Sequence, residues 1–211
     1  QKDAKKFLRY TCCGKGIHLW CHTGIKVSSL SHAQKNTCPL CRANHPASQE
    51  EAIEKLRPWV EKGKAWAQCL LGQRYEHGLG VDQSYQQARE LFELSTSQGN
   101  ADAQYSLGFM YREGRGVDQS YERAAEYCEA AAKQGHDSAQ YNLGVAYANG
   151  HGVEQSIETA REWWMKAAEQ GQEGAINMLQ ELDEIEGRTT PSFVPKPLEC
   201  ANCYRPHDPS E

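Results

Sequence analysis

Residues 139–171 read AQYNLGVAYANGHGVEQSIETAREWWMKAAEQG, and closely similar stretches occupy residues 67–99 and 103–135. Successive stretches begin 36 residues apart. Glycine, alanine and leucine recur at this step in the series Gly99, Gly135 and Gly171; Ala67, Ala103 and Ala139; and Leu71, Leu107 and Leu143. A fixed period of this size indicates a solenoid, in which each unit buries its apolar face against its neighbours.

Each repeat unit is predicted to form two antiparallel helices. Ala103, Leu107 and Tyr111 stand four residues apart, so they share one face of a first helix. Gly114 can take the left-handed conformation that ends this helix, where a Cβ would be strained. Ser120 then fits as the N-cap of a second helix, because its hydroxyl can accept a hydrogen bond from an unpaired backbone N–H. The unit is therefore a helical hairpin, repeated along the chain.

The string Ala139–Gly144, followed by Tyr147 and by Gly150-His151-Gly152-Val153, resembles a Sel-one-like repeat. Such repeats are relatives of tetratricopeptide repeats with a longer loop between the two helices. The resemblance extends over residues 64–186 and recurs in three consecutive units. It implies an all-α fold, a right-handed α-solenoid of helix-turn-helix repeats, that serves as a scaffold recruiting other proteins and performs no catalysis.

Stacked hairpins leave a concave face lined by the first helices of the units, and we expect a protein or peptide partner to bind there. We also expect the polar side chains of these first helices to be exposed. The candidates for partner contact are Gln68, Arg74, Gln104, Arg112 and Gln140. At each of them the alternative is an ordinary solvated polar residue. The Trp163–Trp164 pair is interpreted as packing against the last helix rather than stacking on a ligand.

The chain has nine cysteines, of which Cys69 and Cys128 fall on apolar faces of repeat helices, where a thiol acts as a small hydrophobic group. Residues 12–42 contain a cluster of thiols and imidazoles, which zinc prefers as ligands in a closed tetrahedron. The candidate ligands are Cys12, Cys13, His18, Cys21, Cys38 and Cys41. A segment this small cannot hold itself together by burial alone. Structural zinc is therefore the expected cofactor, and a disulfide scaffold is the less favoured alternative.

The same segment resembles the latter half of a RING-type zinc finger, and the resemblance implies that pairs of ligands share two zinc ions. It assigns the third and fourth ligand pairs to His18 with Cys21 and to Cys38 with Cys41, and the second pair to Cys13 with Cys12 or an alternative neighbour. In this arrangement one ion is held by Cys12, Cys13, Cys38 and Cys41, and His18 and Cys21 supply half of the other site. The first pair would lie before residue 1. The pattern departs from the family in two places: a histidine opens the third pair, where cysteine is commoner, and the usual histidine of the second pair is missing.

In ligase RING fingers, the proline of the last Cys-Pro-x-Cys and the arginine after it help to hold the charged ubiquitin-conjugating enzyme. Pro39 and Arg42 occupy these positions. The alternative is that Pro39 shapes the zinc knuckle, while Arg42 is solvated or pairs with the repeats. Two function classes stay open: a non-enzymatic adaptor, which we favour, and a ubiquitin ligase whose repeats select the substrate. No catalytic residue is nominated for either, because a ligase RING contributes no nucleophile.

The C-terminal residues read as a proline-spaced extended linker followed by Cys200-Ala201-Asn202-Cys203. These four residues resemble the opening pair of a MYND-type zinc finger. Cys200 and Cys203 are therefore further candidate zinc ligands.

The predicted organisation has seven segments. They are a RING-like zinc-binding segment (1–46), a capping helix (47–63), three repeats (64–99, 100–135 and 136–171), a C-terminal capping helix (172–187), and a linker with the start of a second finger (188–211). The net charge of −5 argues against nucleic acid as a partner, and no apolar run reaches the ~18 residues of a membrane span. Because the chain begins without Met and ends beside an unfinished cysteine pair, we expect a fragment of a longer protein. The expected location is cytoplasmic or nuclear, and a signal peptide before residue 1 stays an open alternative.

Overall fold

The computed structural model describes residues 48–188 of the 211-residue chain, and this part is built from eight α-helices. The helices are α1 (Gln49–Glu61), α2 (Ala65–His77), α3 (Tyr85–Thr96), α4 (Ala101–Glu113), α5 (Tyr121–Lys133), α6 (Asp137–Asn149), α7 (Ile157–Glu169) and α8 (Glu173–Glu186). Residues 48–188 contain no strand. The predicted all-α fold of tandem helical hairpins is confirmed.

The glycines and serines of the repeat set the helix boundaries as predicted. Gly114 ends α4 in the left-handed conformation, with φ of 67°, and its N–H donates to the carbonyl of Met110. Ser120 caps α5, because its Oγ accepts from the backbone N–H of Arg123 at 3.2 Å. The equivalent residues Gly78, Ser84, Gly150 and Ser156 do the same in the neighbouring repeats. In each hairpin, the first helix thus ends at a glycine and the second begins after a serine, with the long loop between them.

One glutamine in each of these loops bonds back to the preceding helix. The amide of Gln119 donates from Nε2 to the carbonyl of Arg112 at 2.7 Å, at the end of α4. The same bond joins Gln83 to the carbonyl of Glu76 and Gln155 to the carbonyl of Ala148, at 2.8 and 2.7 Å. The loop conformation is therefore repeated together with the helices.

The described chain divides into two compact units, residues 48–131 and residues 132–188, each with its own core. In the first unit, α2 contributes to two apolar clusters. The cluster with α1 contains Ile53, Leu56, Ala67, Leu70 and Leu71. The cluster with α3 and α4 contains Cys69, Ala88, Phe92, Ala103, Leu107 and Met110. Because α2 supplies residues to both clusters, it joins α1 to α3 and α4.

The core of the second unit is formed by α7 and α8, with partly buried residues of α6 packed against it. Its buried members are Ala160, Trp164, Ala167, Ala168, Ala175 and Leu179. Trp164 is only 2% exposed in this cluster, which confirms that it packs with the last helix. The ring of Trp163 is half-buried and lies beneath the ammonium group of Lys166, 3.9 Å from its centroid. An ion pair of Arg161 with the buried Asp183 also joins α7 to α8.

A glycine in the middle of each first helix lets the second helix of the hairpin approach closely. The distances from an added Cβ to the nearest atom are 2.4 Å at Gly144 (Trp164 Nε1), 2.7 Å at Gly72 (Phe92 Cε1) and 3.0 Å at Gly108 (Cys128 Sγ). A side chain at these positions would have to displace its neighbour. The interior of each hairpin is thus defined by a glycine on one helix and a filling side chain on the other.

Candidate interaction surface

The glutamines predicted as partner contacts are hydrogen-bonded inside the hairpins. Gln68 is 6% exposed, and its Oε1 accepts from Nε2 of Gln98 at 2.7 Å. Gln140 is buried to the same extent and accepts in the same way from Gln170 at 2.8 Å, while its Nε2 donates to a backbone carbonyl. The prediction that Gln68 and Gln140 are exposed was wrong, because each ties its first helix to the end of the second. Gln104 is half-buried.

Arg74 is also buried, at 6% exposure, so the prediction of an exposed arginine was wrong here as well. Its guanidinium donates to the side-chain carbonyl of Gln49, in the first turn of α1. Burial lowers the pKa of Arg74. The equivalent residues of later repeats, Met110 and Ala146, are apolar, and this was the signal in the sequence that the position faces the interior.

Glu76 is a second buried charged residue in α2, and its burial was not predicted from the sequence. It is 6% exposed, and its carboxylate lies 3.9 Å from Nδ1 of His77. Burial raises the pKa of Glu76, while His77 and Arg115 act in the opposite direction. Removal from water therefore outweighs the neighbouring positive charges.

Arg112 is the predicted contact that reaches the surface beside an aromatic ring. Its guanidinium lies 4.9 Å from the ring centroid of Phe109, and that of Arg115 lies at the same distance. Nε of Arg112 also donates to Glu113 at 2.9 Å. Aromatic and arginine side chains are enriched where proteins bind one another, and cations stack favourably on such rings. Neither Phe109 nor Arg115 was predicted as a contact from the sequence, although Phe109 replaces the Gln73 of the previous repeat.

A groove of about 650 Å³ lies between the end of α2 and the start of α3. Its lining residues are Tyr75, Val81, Asp82, Ser84, Gln86 and Gln87. Asp82 is exposed, whereas Tyr75 and Val81 are half-buried. The groove thus combines a small apolar surface with a carboxylate, two hydroxyl groups and two amides.

The predicted zinc ligands and ligase contacts lie outside residues 48–188. They are Cys12, Cys13, His18, Cys21, Cys38, Pro39, Cys41, Arg42, Cys200 and Cys203. Within the described range, no group of three or more histidines, cysteines and acidic residues could hold a metal ion. Cys69 and Cys128 are buried, as predicted, and burial raises the pKa of the Cys128 thiol to about 11. Among the described helices, none is long and apolar enough to cross a membrane.

The fold and its surfaces define an array of helical hairpins, which is a scaffold architecture for protein interaction. Residues 67–100, 101–136 and 137–172 match the Sel1 repeat, and together they make up 106 of the 211 residues. The chain therefore belongs to the Sel1 repeat family, the Sel-one-like family that the sequence resembles. Proteins of this family typically bind other proteins.

Several solved structures are similar to this chain. A Sel1 repeat protein from Oxalobacter formigenes is 29% identical, with a TM-score of 0.61 over 67% of this chain and 57% of that one. The protective antigen c5321 of uropathogenic Escherichia coli, which displays an SLR fold, is 36% identical, with a TM-score of 0.65 over 68% and 31%. Cysteine rich protein B of Helicobacter pylori is 18% identical, with a TM-score of 0.52 over 63% and 98%, and shares the fold.

The chain thus spans 57% of the length of the first of these proteins and 31% of the second. No curated protein matches the sequence.

Proposed function

We propose that this chain is a protein-interaction adaptor, whose repeats bind a protein or peptide and whose N-terminal segment is a zinc-binding RING-like module. The observation that carries the proposal is the surface formed by Phe109 with the guanidinium groups of Arg112 and Arg115 beside it. A few aromatic and arginine residues supply most of the binding free energy at many protein interfaces. The partner therefore contacts this surface rather than the buried Gln68 and Gln140.

Substitution of Phe109 tests the partner surface. The partner is first identified by cross-linking to the full chain, and its affinity is then measured by titration calorimetry. Phe109→Ala is expected to weaken binding by about 30-fold or more, since a residue at the centre of an interface contributes ~2 kcal/mol or more. Gln73→Ala, at the equivalent position of α2, is the matched control and leaves the affinity unchanged. If Gln73→Ala lowers the affinity and Phe109→Ala does not, the surface is wrong.

Zinc binding is the part of the proposal that concerns residues 12–42. Thiolates and imidazoles form the donor set that a tetrahedral structural zinc site uses, and the ligands proposed are Cys12, Cys13, His18, Cys21, Cys38 and Cys41. Cys200 and Cys203 are proposed to contribute to a separate site. Metal analysis of the purified chain is expected to give at least one zinc per chain. Cys38→Ser with Cys41→Ser should lower that ratio and leave the helical circular dichroism signal of the repeats unchanged. A wild-type chain without zinc contradicts the module.

A ubiquitin ligase is the second candidate, and the sequence Cys38-Pro39-Leu40-Cys41-Arg42 favours it. In that case Pro39 and Arg42 hold a ubiquitin-conjugating enzyme, and the repeats select the substrate. Autoubiquitination by the full-length parent protein, with a panel of conjugating enzymes, decides between the candidates. Product that is lost on Arg42→Ala supports the ligase, whereas no product with any enzyme of the panel leaves the adaptor.

A further inference from the structure

The repeats differ in what covers the recurring tyrosine of the first helix. Tyr75, Tyr111 and Tyr147 occupy the same position of α2, α4 and α6. In the second repeat, Arg123 of α5 covers Tyr111. Its guanidinium carbon lies 5.4 Å from the ring centroid, and its Nη1 donates to the tyrosine hydroxyl at 3.3 Å. A guanidinium held on this tyrosine is therefore an arrangement that the repeat already makes.

The first repeat has no such arginine. Gln87 of α3 stands at the position of Arg123. Among residues 48–188, no positively charged side chain lies over the ring of Tyr75. Tyr75 and Gln87 instead both line the groove of about 650 Å³ between α2 and α3. The groove therefore corresponds to the position that the side chain of Arg123 takes in the next repeat.

The lining of this groove suits a positively charged group. The exposed carboxylate of Asp82 lies in it, together with the hydroxyl of Ser84 and the amide of Gln86. The surrounding residues 48–188 carry thirteen lysines and arginines and twenty-four acidic residues, a net charge of −11. A guanidinium is planar, so it can stack on a ring and donate to a carboxylate from its edge, whereas an ammonium group cannot stack in this way.

We propose that this groove binds an arginine side chain of a partner polypeptide, with the guanidinium over the ring of Tyr75 and paired with the carboxylate of Asp82. The occupant is an arginine rather than an apolar side chain, because the next repeat holds its own arginine on the equivalent tyrosine. The proposal rests on the adaptor function, since it names a chemical feature of the partner. The groove shares no residue with the surface formed by Phe109, Arg112 and Arg115, so each is tested by itself.

Binding is measured with the tripeptide Gly-Arg-Gly, acetylated and amidated at its ends and titrated into the full chain. NMR follows the ring protons of Tyr75 and the backbone amides of residues 81–87. We expect saturable shifts of these signals with a Kd in the millimolar range, because one side chain makes all the contacts. Gly-Lys-Gly should bind at least about fivefold more weakly, since an ammonium group does not stack on the ring. Gly-Gln-Gly should give no saturable shift.

Two reciprocal substitutions exchange the two repeats. In Gln87→Arg, the new side chain should cover Tyr75 as Arg123 covers Tyr111, and the tripeptide should no longer bind. In Arg123→Gln, the ring of Tyr111 is uncovered beside Asp118, and a second site should form. Its signature is a new set of saturable shifts in the Tyr111 ring protons, which the wild type does not show.

Asp82→Asn tests the carboxylate and should weaken binding at the groove by about fivefold or more, because the ion pair becomes a neutral hydrogen bond. Asp118→Asn is the matched control, since Asp118 is exposed and occupies the position of Asp82 in the next repeat. It should leave the affinity of the wild-type groove unchanged.

Equal affinities for Gly-Arg-Gly and Gly-Lys-Gly would overturn the proposal, because attraction to the net negative charge would then explain the binding. Unchanged binding in Gln87→Arg would overturn it as well, since the site would lie elsewhere. Phe109→Ala should leave the affinity for the tripeptide unchanged, and a loss there would place the arginine on the other surface and contradict the proposal. The adaptor function is judged by a different ligand, the partner itself, so the two can fail separately.

Discussion

In the α2–α3 hairpin the ring of Phe92 lies against Gly72, whereas in the α6–α7 hairpin the indole of Trp164 lies against Gly144. The indole is further fixed by a hydrogen bond of 3.2 Å from Nε1 to the carbonyl of Tyr141. Both hairpins keep a hydrogen bond between two glutamine side chains, from Gln98 to Gln68 at 2.7 Å and from Gln170 to Gln140 at 2.8 Å. The polar bonds are thus conserved between the two hairpins, while the side chain that fills the interior differs in size and chemistry.

The ends of the same hairpins differ in a second way. Ser95 of α3 is fully buried and donates from Oγ to the carbonyl of Ala65 at 2.8 Å, whereas the equivalent Ala167 contributes only packing. Two charged residues, Arg74 and Glu76, are buried in α2, where α6 has alanines. The first hairpin therefore uses polar pairs where the later one uses small apolar residues. The same hairpin backbone accommodates both sets of side chains. The glycine sets the spacing of the two helices, and the hydrogen bond between glutamine side chains sets their register.

Removal of the filling side chain should produce the largest effect. Trp164→Ala is expected to destabilise its hairpin by about 3–5 kcal/mol, because the indole is buried and the small neighbours cannot close the cavity. Cys128→Ala, at the same position of the next hairpin back, should cost only about 1 kcal/mol, since roughly one buried group is lost. Hydrogen exchange of the amides of each hairpin measures the loss locally, which suits a repeat protein whose stability is a sum over neighbours.

Equal losses for the two variants would contradict this explanation. The filling side chain would then have no special role, and the glutamine bonds or helix caps would hold the hairpin. Phe92→Ala is the control, because Phe92 is the large side chain that fills the α2–α3 hairpin. Its loss of local stability should be close to that of Trp164→Ala rather than that of Cys128→Ala.

The opposite change, filling the glycine position, should have an intermediate effect. In Gly144→Ala the new methyl group would lie 2.4 Å from Nε1 of Trp164, so the hairpin must open or the indole must turn. Such overpacking costs about 1–3 kcal/mol, and the ~1 kcal/mol that alanine gains over glycine in a helix offsets only part of the upper range. With the nearest atom this close, we expect a net loss of about 1–2 kcal/mol. In Gly108→Ala the new methyl group would lie 3.0 Å from the Cys128 thiol and 3.1 Å from the carbonyl oxygen of Ala124, so the loss of unfolding free energy should be smaller than for Gly144→Ala.

A double-variant cycle checks the origin of this cost. The penalty of Gly144→Ala should disappear in a Trp164→Cys background, because the thiol leaves room for the methyl group. Persistence of the full penalty in urea unfolding of the double variant would show that the cost is not a clash with Trp164.

The sequence alone predicted the parts of the structure that depend on local chemistry. The helix boundaries followed from Gly114 and Ser120, since a left-handed glycine and a capping hydroxyl act within a few residues. The burial of Gln68 and Arg74 does not follow from local chemistry, because their partners Gln98 and Gln49 stand 30 and 25 residues away. For Arg74, the apolar residues at the same position of the later repeats were the only signal in the sequence. The contact of Phe109 with two arginines was missed for a related reason. The repeat pattern draws attention to residues that recur, whereas Phe109 differs from its counterparts.

The smallest expected effect comes from replacing the buried carboxylate of Glu76 in α2 with an uncharged side chain, since α6 has an alanine at this position. Burial raises the pKa of Glu76 above its ordinary value of 4.5, so between that value and the raised pKa the folded state binds more protons than the unfolded state. The protonated Glu76 side chain favours the folded state. This contribution to stability is complete below pH 4.5 and is lost as the pH rises through the pKa of the folded state. Glu76→Gln should therefore unfold at a higher urea concentration than the wild type at pH 7 and at the same concentration at pH 4.

Glu76→Ala separates charge from volume, since alanine occupies this position in α6 as Ala148. If the cost at pH 7 is the burial of a charge, both variants gain stability there and both lose the dependence on pH. The positive charge of Arg115 opposes this cost, which is why the gain should be modest. A lower urea midpoint for both variants at pH 7 would mean that the attraction between Glu76 and Arg115 outweighs the loss of water. In that case the buried charges of α2 stabilise the first repeat, and the two hairpins differ in the sign of their polar contribution.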